Sequence, residues 1–241
     1  MKKLTIDFVI PVYNEEKVLE KNICRLREYL INNEKNNWRI VIANNGSSDK
    51  SLEIAKRISN QYNNVEYIHV KKKGRGYALR DAFENSKADI CIYMDIDLST
   101  GLSAIQETVL NMKKGYDMVI GSRYQMGSKV KRSVHRLILS KGYNILVQLL
   151  FRTKVKDMQC GFKAVNQKII KIILPNIRNN EWFFDTEMLI LAERKGYKIK
   201  EIPIFWEENN KSKVKIIKTI IDFIVDSIKL RRRIKNESII N

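Results

Sequence analysis

The sequence is poor in cysteine, proline and histidine, and it has no long hydrophobic run. Its three cysteines, Cys24, Cys91 and Cys160, are too few and too scattered among 241 residues for a disulfide framework or a zinc site. That usage favours a reducing compartment such as the cytosol. No apolar stretch reaches the roughly 20 residues that a transmembrane helix requires. The first residues run directly into a predicted strand, so we expect no signal peptide.

Negative charge is also scarce. The chain has 45 lysines and arginines against 27 aspartates and glutamates, a formal net charge of +18. This excess predicts a polyanion, an anionic substrate or an anionic surface as partner. A nucleic-acid-binding module would fit the charge alone, but no RNA- or DNA-binding motif or stacking aromatic pattern accompanies it. With 44% hydrophobic residues, the chain can bury one sizeable core.

Predicted strands and helices alternate along the first half of the chain. Short apolar runs typical of buried strands cover residues 6–12, 39–43, 65–70, 90–95 and 118–122. Helical patterns separate them at about residues 15–32, 48–61, 76–85 and 102–114. This repeat predicts an α/β fold with a mostly parallel sheet flanked by helices. From about Ser133 onward the pattern is more helical.

Polar loops follow three of these strands. Right-handed crossovers bring them to one edge of the sheet: Tyr13-Asn14-Glu15, Asn44-Asn45-Gly46-Ser47 and Asp95-Ile96-Asp97. Pro11 is expected to end the first strand, and Asn14 to cap the next helix. Gly46 allows a tight turn, with Ser47 or Ser48 as the following cap. Capping alone would explain these residues, and the turn would also suit a base or a ribose.

Asp95 and Asp97 end the most apolar of the predicted strands. Two carboxylates this close raise each other's pKa unless a cation neutralises them. Hard oxygen ligands favour Mg²⁺ or Mn²⁺, often shared with the phosphates of a substrate. The alternative is that Asp95 caps a turn and Asp97 opens the next helix.

A basic loop follows the third strand. Lys71-Lys72-Lys73-Gly74-Arg75-Gly76 opens a helix, an arrangement that suits a diphosphate through cations, backbone amides and the helix dipole. It matches neither a Walker A loop nor a dinucleotide-binding fingerprint. As a bare charge run, it would also be explained by a solvated surface.

Taken together, the motifs resemble the family-two glycosyltransferases of GT-A fold. Eight of them occur in the family's order: Pro11-Val12-Tyr13-Asn14-Glu15, Asn45-Gly46-Ser47-Ser48-Asp49, Lys73-Gly74-Arg75-Gly76-Tyr77-Ala78, Asp95-Ile96-Asp97-Leu98-Ser99, Gly121-Ser122-Arg123, Asp157-Met158-Gln159-Cys160-Gly161-Phe162-Lys163, Phe184-Asp185-Thr186-Glu187 and Glu201-Ile202-Pro203-Ile204. The later motifs are similar to those of the branch that glycosylates polyprenyl or dolichyl phosphate. The resemblance implies a Rossmann-like sheet and inverting transfer of a hexose from a nucleotide-diphosphate sugar to a lipid phosphate.

The resemblance also implies roles for single residues. Asp95, Asp97 and Gln159 would bind Mg²⁺ or Mn²⁺, and Asp97 and Arg123 would be catalytic. The donor would be bound by a larger set: Pro11, Tyr13, Glu15, Asn44, Gly46, Ser47, Lys73, Arg75, Gly76, Asp95 and Ile96.

The acceptor phosphate would be held by cations, since a phosphate is already anionic at pH 7 and needs alignment more than a general base. The matching positions are Arg123, Arg136, Ser140 and Lys213. The alternative for each of the three cations is a surface charge of a very basic protein. If the acceptor were a hydroxyl, a carboxylate would have to act as base, and Asp157, Asp185 and Glu187 lie in matching motifs.

Two amphipathic stretches are expected to lie on a membrane surface. One covers about residues 133–151 within a catalytic domain of residues 1–210. The other covers residues 211–241 and carries its apolar residues at helical spacing: Ile217, Ile220, Ile221, Ile224 and Ile228. It ends in the basic cluster Arg231-Arg232-Arg233-Ile234-Lys235, which suits anionic headgroups. We therefore expect a peripheral protein on the cytoplasmic membrane face. The alternative is that both apolar faces pack on the catalytic domain or a second subunit.

Two departures from the family pattern leave the donor open. The second loop has Asn44 and Asn45 where an acid is usual, and Ser99 stands where related synthases often have an amide metal ligand. The surroundings of Cys160 and Trp206 are more similar to glucosyltransferases, which favours UDP-glucose over GDP-mannose. Rival functions are a family-two enzyme acting on a glycan hydroxyl in capsule or cell-wall synthesis, and a nucleotidyltransferase, although the glycine-rich first loop of the latter is missing.

Overall fold

The computed structural model describes residues 3–208 and 216–240. The strands, in chain order, are β1 (Thr5–Val12), β2 (Asn37–Asn45), β3 (Val65–Val70), β4 (Ile90–Met94), β5 (Met118–Ser122), β6 (Lys129–Lys131), β7 (Phe162–Asn166), β8 (Ile199–Pro203) and β9 (Phe205–Glu207). The helices are α1 (Leu19–Asn33), α2 (Ser51–Gln61), α3 (Arg75–Glu84), α4 (Ala104–Lys113), α5 (Val134–Phe151), α6 (Phe184–Arg194) and α7 (Ile216–Ile240).

Seven strands form the main sheet, in the order β3-β2-β1-β4-β7-β5-β8. All neighbours are parallel except β7, which runs antiparallel to both β4 and β5. The α/β class and the five strands of the first half are as expected, although Pro11 lies within β1 and does not end it. β7 and β8 fall in the region expected to be helical, and β6 and β9 form a separate two-stranded sheet.

Alternate residues of the central strands face two hydrophobic cores, one on each side of the sheet. Phe8, Ile40 and Ile92 pack against α1, α2 and α4. Val9 and Tyr93 point to the other side, where α3, α5, α6 and α7 cover the sheet. Both faces are therefore buried, as the near-continuous apolar strands require.

α7 packs against the body of the protein through a face different from its isoleucine stripe. Phe223 stacks against Tyr143 of α5 with 4.9 Å between ring centres, and Leu230 and Ile234 are buried in the core. Within the stripe, Ile221, Ile224 and Ile228 are exposed, whereas the side chains of Ile217 and Ile220 lie outside the described part. Among the described helices, none combines the length and the hydrophobicity needed to traverse a bilayer.

Candidate functional site

The loops after β1 and β2 are hydrogen-bonded to each other at the carboxyl edge of the sheet. Asn14 adopts a left-handed φ of 54°, and its N–H donates to Ser47 Oγ over 3.0 Å. Its Oδ1 accepts from the Ser48 N–H over 2.8 Å, and the Glu15 N–H donates to Ser51 Oγ. The expected helix caps are therefore wrong: α1 and α2 begin further along the chain, because these polar groups join the two loops instead.

Asn44 is buried at the end of β2 and offers one unpaired polar atom. Its Nδ2 lies 2.8 Å from His69 Nδ1, while its Oδ1 has no hydrogen-bond partner among the described residues. The turn that follows requires glycine, since Gly46 has a φ of +61° and a Cβ would lie 2.9 Å from the Lys71 carbonyl oxygen. A buried acceptor beside a tight turn suits an N–H of a ligand.

Two of the residues expected to bind the nucleotide-sugar donor contact each other above this edge of the sheet. The Lys73 ammonium lies 4.4 Å from the centre of the Tyr13 ring, a cation–π distance. The contact brings a cation and an aromatic ring from distant loops to one place, as a site for an anionic ligand with a planar base would require.

Two backbone amides of the third loop are already paired within the protein. The Gly74 N–H donates to Asn45 Oδ1, and the Gly76 N–H donates to the Asn180 carbonyl, each over 2.9 Å. Gly76 is packed so closely that a Cβ would lie 2.7 Å from the Asn180 backbone. The absence of a side chain at Gly76 therefore allows this close packing, and its expected role in donor binding stays a prediction.

The turn after β4 presents the two aspartates. Leu98 closes it with a φ of 51°, a backbone conformation that residues other than glycine rarely adopt. Asp97 is held by Ser99, whose N–H and Oγ donate to its two carboxylate oxygens over 3.0 and 2.6 Å. The Asp95 side chain is 45% exposed. Ile96 between them is buried, and its carbonyl accepts a hydrogen bond from α1.

Gly161 makes room for the Asp95 carboxylate. The antiparallel pairing of β4 and β7 sets Met94 opposite Phe162, so the residue before β7 lies beside the residue after β4. The Asp95 N–H donates to the Gly161 carbonyl over 3.1 Å. A Cβ at Gly161 would overlap the Asp95 carboxylate group. Any larger residue must displace that carboxylate.

A buried charge network connects Asp95 to the second half of the chain. Arg75 bridges Asp185 and Asp95, with 3.1 Å to the latter, and Asp185 also contacts Tyr93 and Lys163. Arg75 is therefore not the free diphosphate-binding cation expected. Burial opposes ionisation of Asp185, but Arg75 and Lys163 hold its pKa below the ordinary value. Partial desolvation raises the pKa of Asp95, Arg75 opposes this shift, and the Asp97 charge adds to it.

Sequence reasoning missed Tyr93 and Lys163. The available signal was a lysine inside the otherwise apolar segment Phe162–Asn166, since a lysine in a buried strand is almost always paired.

The donor atoms present fit a hard divalent cation that shares its coordination with a ligand. Over residues 3–208 and 216–240, no three histidine, cysteine or acidic side chains come together. Asp95 and Asp97 alone would leave several positions for diphosphate oxygens or water, as Mg²⁺ usually requires. The amide nitrogen of Gln159 donates to Thr186 Oγ1 over 2.7 Å, which does not involve the Oε1 atom that would bind a cation.

The Arg123 side chain is buried and paired, which contradicts the alternative that it is only a surface cation. Its Nε and Nη2 each donate to Asp157 over 2.8 Å, and its backbone N–H donates to the same carboxylate. Burial disfavours the charged form of Asp157, but Arg123 holds the pKa of this carboxyl below its usual value. The described contacts leave Nη1 of Arg123 as the edge available to a ligand.

Arg136 and Ser140 lie on one face of α5, as their spacing predicted. Arg136 donates to Glu208 Oε1 over 2.6 Å, and Ser140 Oγ lies 2.6 Å from the Tyr124 hydroxyl. Glu208 also accepts from the N–H and Oγ of Ser133. Lys213, the fourth expected acceptor residue, lies outside the described residues.

Arg132 is a further cation at this place that sequence reasoning missed as a site residue. It donates to Ser140 Oγ over 2.9 Å, and its guanidinium lies 5.3 Å from the Trp206 ring centre, with Arg123 at 5.5 Å from the same ring. Burial lowers the pKa of Arg132, and the Arg123 charge lowers it further. This concentration of guanidinium groups suits an anionic ligand, although Glu208, 4.0 Å from Arg132 Nε, already supplies one negative charge.

The three candidate general bases are all occupied. Asp157 and Asp185 are buried in ion pairs with arginine. Glu187 is also buried, and it accepts the N–H groups of Arg178 and Asn179 over 3.0 and 2.8 Å. None of the three is a free carboxylate poised to take a proton.

Comparison with known proteins agrees with this geometry. The model of the glycosyl transferase family 2 matches residues 7–174. The chain is 33% identical over 222 residues to the glycosyltransferase AglD of Haloferax volcanii, covering 90% of this chain and only 35% of AglD. It is 32% identical over 235 residues to a dolichyl-phosphate beta-glucosyltransferase of Trichomonas vaginalis, covering 93% of this chain and 72% of that protein.

A solved structure shares the fold. Glucosyl-3-phosphoglycerate synthase from Mycobacterium tuberculosis, crystallised with Mn²⁺, uridine diphosphate and glucosyl-3-phosphoglycerate, superposes with a TM-score of 0.68 at 15% identity, covering 95% of this chain and 80% of that one. The expected GT-A fold is thereby confirmed. The family resemblance read from the eight motifs is also confirmed, and this chain belongs to glycosyl transferase family 2.

Proposed function

We propose that this protein transfers a hexose from a nucleotide-diphosphate sugar to the phosphate of a polyprenyl or dolichyl lipid, with inversion at the anomeric carbon. UDP-glucose is the favoured donor and GDP-mannose the second choice. The similarity to a dolichyl-phosphate beta-glucosyltransferase over 93% of this chain supports this choice of acceptor and sugar.

The observation that carries the proposal is the contrast between cations and bases on the acceptor side. Arg123 and Arg132 both lie against the Trp206 ring, and Arg132 also donates to Ser140 Oγ. Arg136 lies one helical turn before Ser140 on α5 and pairs with Glu208. The candidate bases are all engaged: Asp157 pairs with Arg123 itself, Asp185 pairs with Arg75, and Glu187 accepts backbone N–H groups. A sugar hydroxyl would need one of those bases, whereas an anionic phosphate needs only alignment by cations.

In the reaction, an oxygen of the lipid phosphate attacks the anomeric carbon, and the bond to the nucleoside diphosphate breaks. The guanidinium groups align the attacking phosphate, and the Lys73 ammonium stabilises the departing diphosphate. Asp95 and Asp97 would hold Mg²⁺ or Mn²⁺, which would supply further neutralisation of the leaving group. The Mn²⁺ in the superposed synthase supports this assignment.

The donor base would lie at the end of β2. The unpaired Oδ1 of Asn44 would accept an N–H from the base, and Gly46 lets the backbone approach it closely. An amide can accept from uracil or guanine alike, so Asn44 alone does not select between UDP and GDP. The uridine diphosphate bound by the superposed synthase supports the first choice.

The lipid acceptor would be reached from a membrane surface. α5 and α7 pack together and leave large apolar side chains exposed, including Ile138 and Leu149 on α5 and Ile221 and Ile228 on α7. Exposed patches of this kind mark interaction sites. We infer a peripheral position on the cytoplasmic face, with both helices in the interface plane.

The test is a transfer assay with radiolabelled UDP-glucose or GDP-mannose, polyprenyl phosphate and Mn²⁺ or Mg²⁺. We expect label in the organic-extractable product from UDP-glucose, and loss of at least about a hundredfold for Asp97→Asn. Asp81→Asn on α3 is the matched control and should retain activity. Label that appears only in an aqueous glycan product would overturn the lipid-phosphate assignment in favour of a hydroxyl acceptor.

A further inference from the structure

A cavity lies between α5 and the segment that follows it, apart from the sheet edge proposed to bind the sugar donor. Its volume is about 340 Å³, and its lining includes Lys141, Lys154 and Lys156. None of the residues assigned above to the donor, the metal or the acceptor phosphate lines it. Tyr124 forms part of its wall and connects it to the acceptor side through the contact with Ser140.

The three lysines give this cavity a strong positive charge. All three are exposed, and among the described residues none of their ammonium groups pairs with a carboxylate. The backbone beneath them is fixed, because the N–H groups of Lys154 and Lys156 donate to Glu193 and Glu201 over 2.9 and 3.1 Å. The nearby acids therefore hold the loop in place and leave the ammonium groups unneutralised.

Asn144 adds a buried donor that lacks a partner. The residue is only 3% exposed, and its Oδ1 accepts the Met158 N–H over 3.0 Å. Its Nδ2 has no hydrogen-bond partner among the described residues, although the side chain lines the cavity. A buried amide donor without an acceptor is unfavourable, and a ligand oxygen would satisfy it.

We propose that this cavity binds the phosphate group of an anionic lipid. The three lysine ammonium groups and the Asn144 amide N–H can all donate hydrogen bonds to phosphate oxygens. The exposed apolar side chains around the cavity favour a lipid as the carrier of this phosphate. Ile145 lines the cavity and is exposed, and Leu149 on the same helix is 74% exposed. A headgroup held here would place the apolar face of α5 against the acyl chains. The site is separate from the acceptor subsite and does not depend on the proposed transfer reaction.

The test compares binding of the full chain to phosphatidylcholine vesicles with and without phosphatidic acid. At about 1 kcal/mol per lysine, Lys141→Gln, Lys154→Gln and Lys156→Gln combined should weaken binding to the anionic vesicles about a hundredfold. The matched control replaces three exposed lysines elsewhere, Lys56→Gln, Lys87→Gln and Lys114→Gln, with the same change in net charge. Its binding should fall less than about fivefold, because these lysines lie on other elements.

A second variant, Asn144→Asp, keeps the acceptor for the Met158 N–H and replaces the free donor by a negative charge. It should lose binding to anionic vesicles while its melting temperature shows that it still folds. Equal losses in the lysine variant and its control would overturn the proposal, since binding would then follow net charge alone. Titration with inorganic phosphate separates the sources: variants that lose phosphate binding but keep full vesicle binding would overturn the lipid assignment in favour of a soluble phosphate.

Discussion

Single residues at the sheet edge decide where the aspartates can lie. Gly161 leaves just enough room for the Asp95 carboxylate, and Leu98 holds the turn in a left-handed conformation. At this edge, position 161 must lack a side chain and Leu98 must keep a backbone conformation that leucine rarely adopts. Strain and close packing of this kind persist where the surrounding structure enforces them.

Gly161→Ala should abolish most of the transfer activity. The new methyl group would displace the Asp95 carboxylate, and a shift of about 1 Å at a site of this kind costs about a hundredfold in rate. Gly142→Ala on α5 is the control, since nothing lies within 4 Å of a Cβ there. Initial rates of transfer from UDP-glucose measure both. Equal rates for the two variants would remove Asp95 from the mechanism.

Glu208→Gln should lower the KM for the lipid phosphate several-fold with little change in kcat. Glu208 accepts hydrogen bonds from Arg136 and Ser133, so its carboxylate competes with an acceptor phosphate for the same cations. The neutral amide competes less. Glu207→Gln is the control, because Glu207 pairs only with the exposed Lys131 among the described cations. An increased KM would mean that Glu208 supports the acceptor site.

Asp157→Asn should lower the free energy of unfolding by about 3–5 kcal/mol at neutral pH, because it leaves Arg123 buried and uncompensated. The pKa of Asp157 is lowered on folding, so its stabilisation is complete above the unfolded value of about 3.9 and is lost as the pH falls through the folded pKa. Urea unfolding of both proteins should therefore converge only below about pH 4. Asp222→Asn on α7 is the exposed control and should change stability by less than about 0.5 kcal/mol.

The elements themselves were predictable where the pattern was strong. The first five strands follow from short apolar runs, and their helices from periodic apolar positions. β7 was missed because Lys163 interrupts its apolar pattern, and β8 because Ile199–Pro203 mixes charged residues with a terminal proline. The helix starts were misplaced because Asn14 bonds across to another loop, and local sequence does not encode that partner.

The exposed face of α7 should mediate membrane binding. Ile221→Ser, Ile224→Ser and Ile228→Ser combined should weaken binding to anionic vesicles tenfold or more, at about 25 cal/mol per Å² of apolar surface lost from the contact. The fold should persist, since the buried face of α7 is unchanged. The control uses exposed apolar residues of other elements, Ile31→Ser, Leu110→Ser and Ile172→Ser. Similar losses in both variants would argue that hydrophobicity in general, and not this face, governs binding.

At the scale of the whole molecule, sequence predicted which loops meet but not which charges pair. Parallel strands and right-handed crossovers are general rules, so the convergence of the first loops followed from them. The pairing of Arg75 with Asp185 joins residues 110 positions apart, and that of Arg123 with Asp157 joins an arginine to an acid that sequence offered as a base. Such partners depend on β7 and α6, whose placement the local pattern did not contain.

The net charge of +18 should make membrane binding depend on salt. The screening length falls from about 30 Å at 0.01 M to about 8 Å at 0.15 M ionic strength, so attraction to anionic vesicles should weaken steeply over that range. Binding to neutral vesicles should change little. Co-sedimentation across a salt series measures both. A salt-independent affinity for anionic vesicles would show that charge contributes nothing to the contact.

The main sheet can form fully only after the antiparallel strand β7 has been synthesised. β7 lies between β4 and β5 and pairs with both. Gly161, which contacts Asp95, directly precedes Phe162 at the start of β7. During synthesis, β1 to β5 emerge first, yet β5 is not joined to the other strands until β7 is inserted between β4 and β5. A ribosome-bound fragment ending before β7 would therefore contain Asp95 and Asp97 and still lack the strand that lies beside their turn.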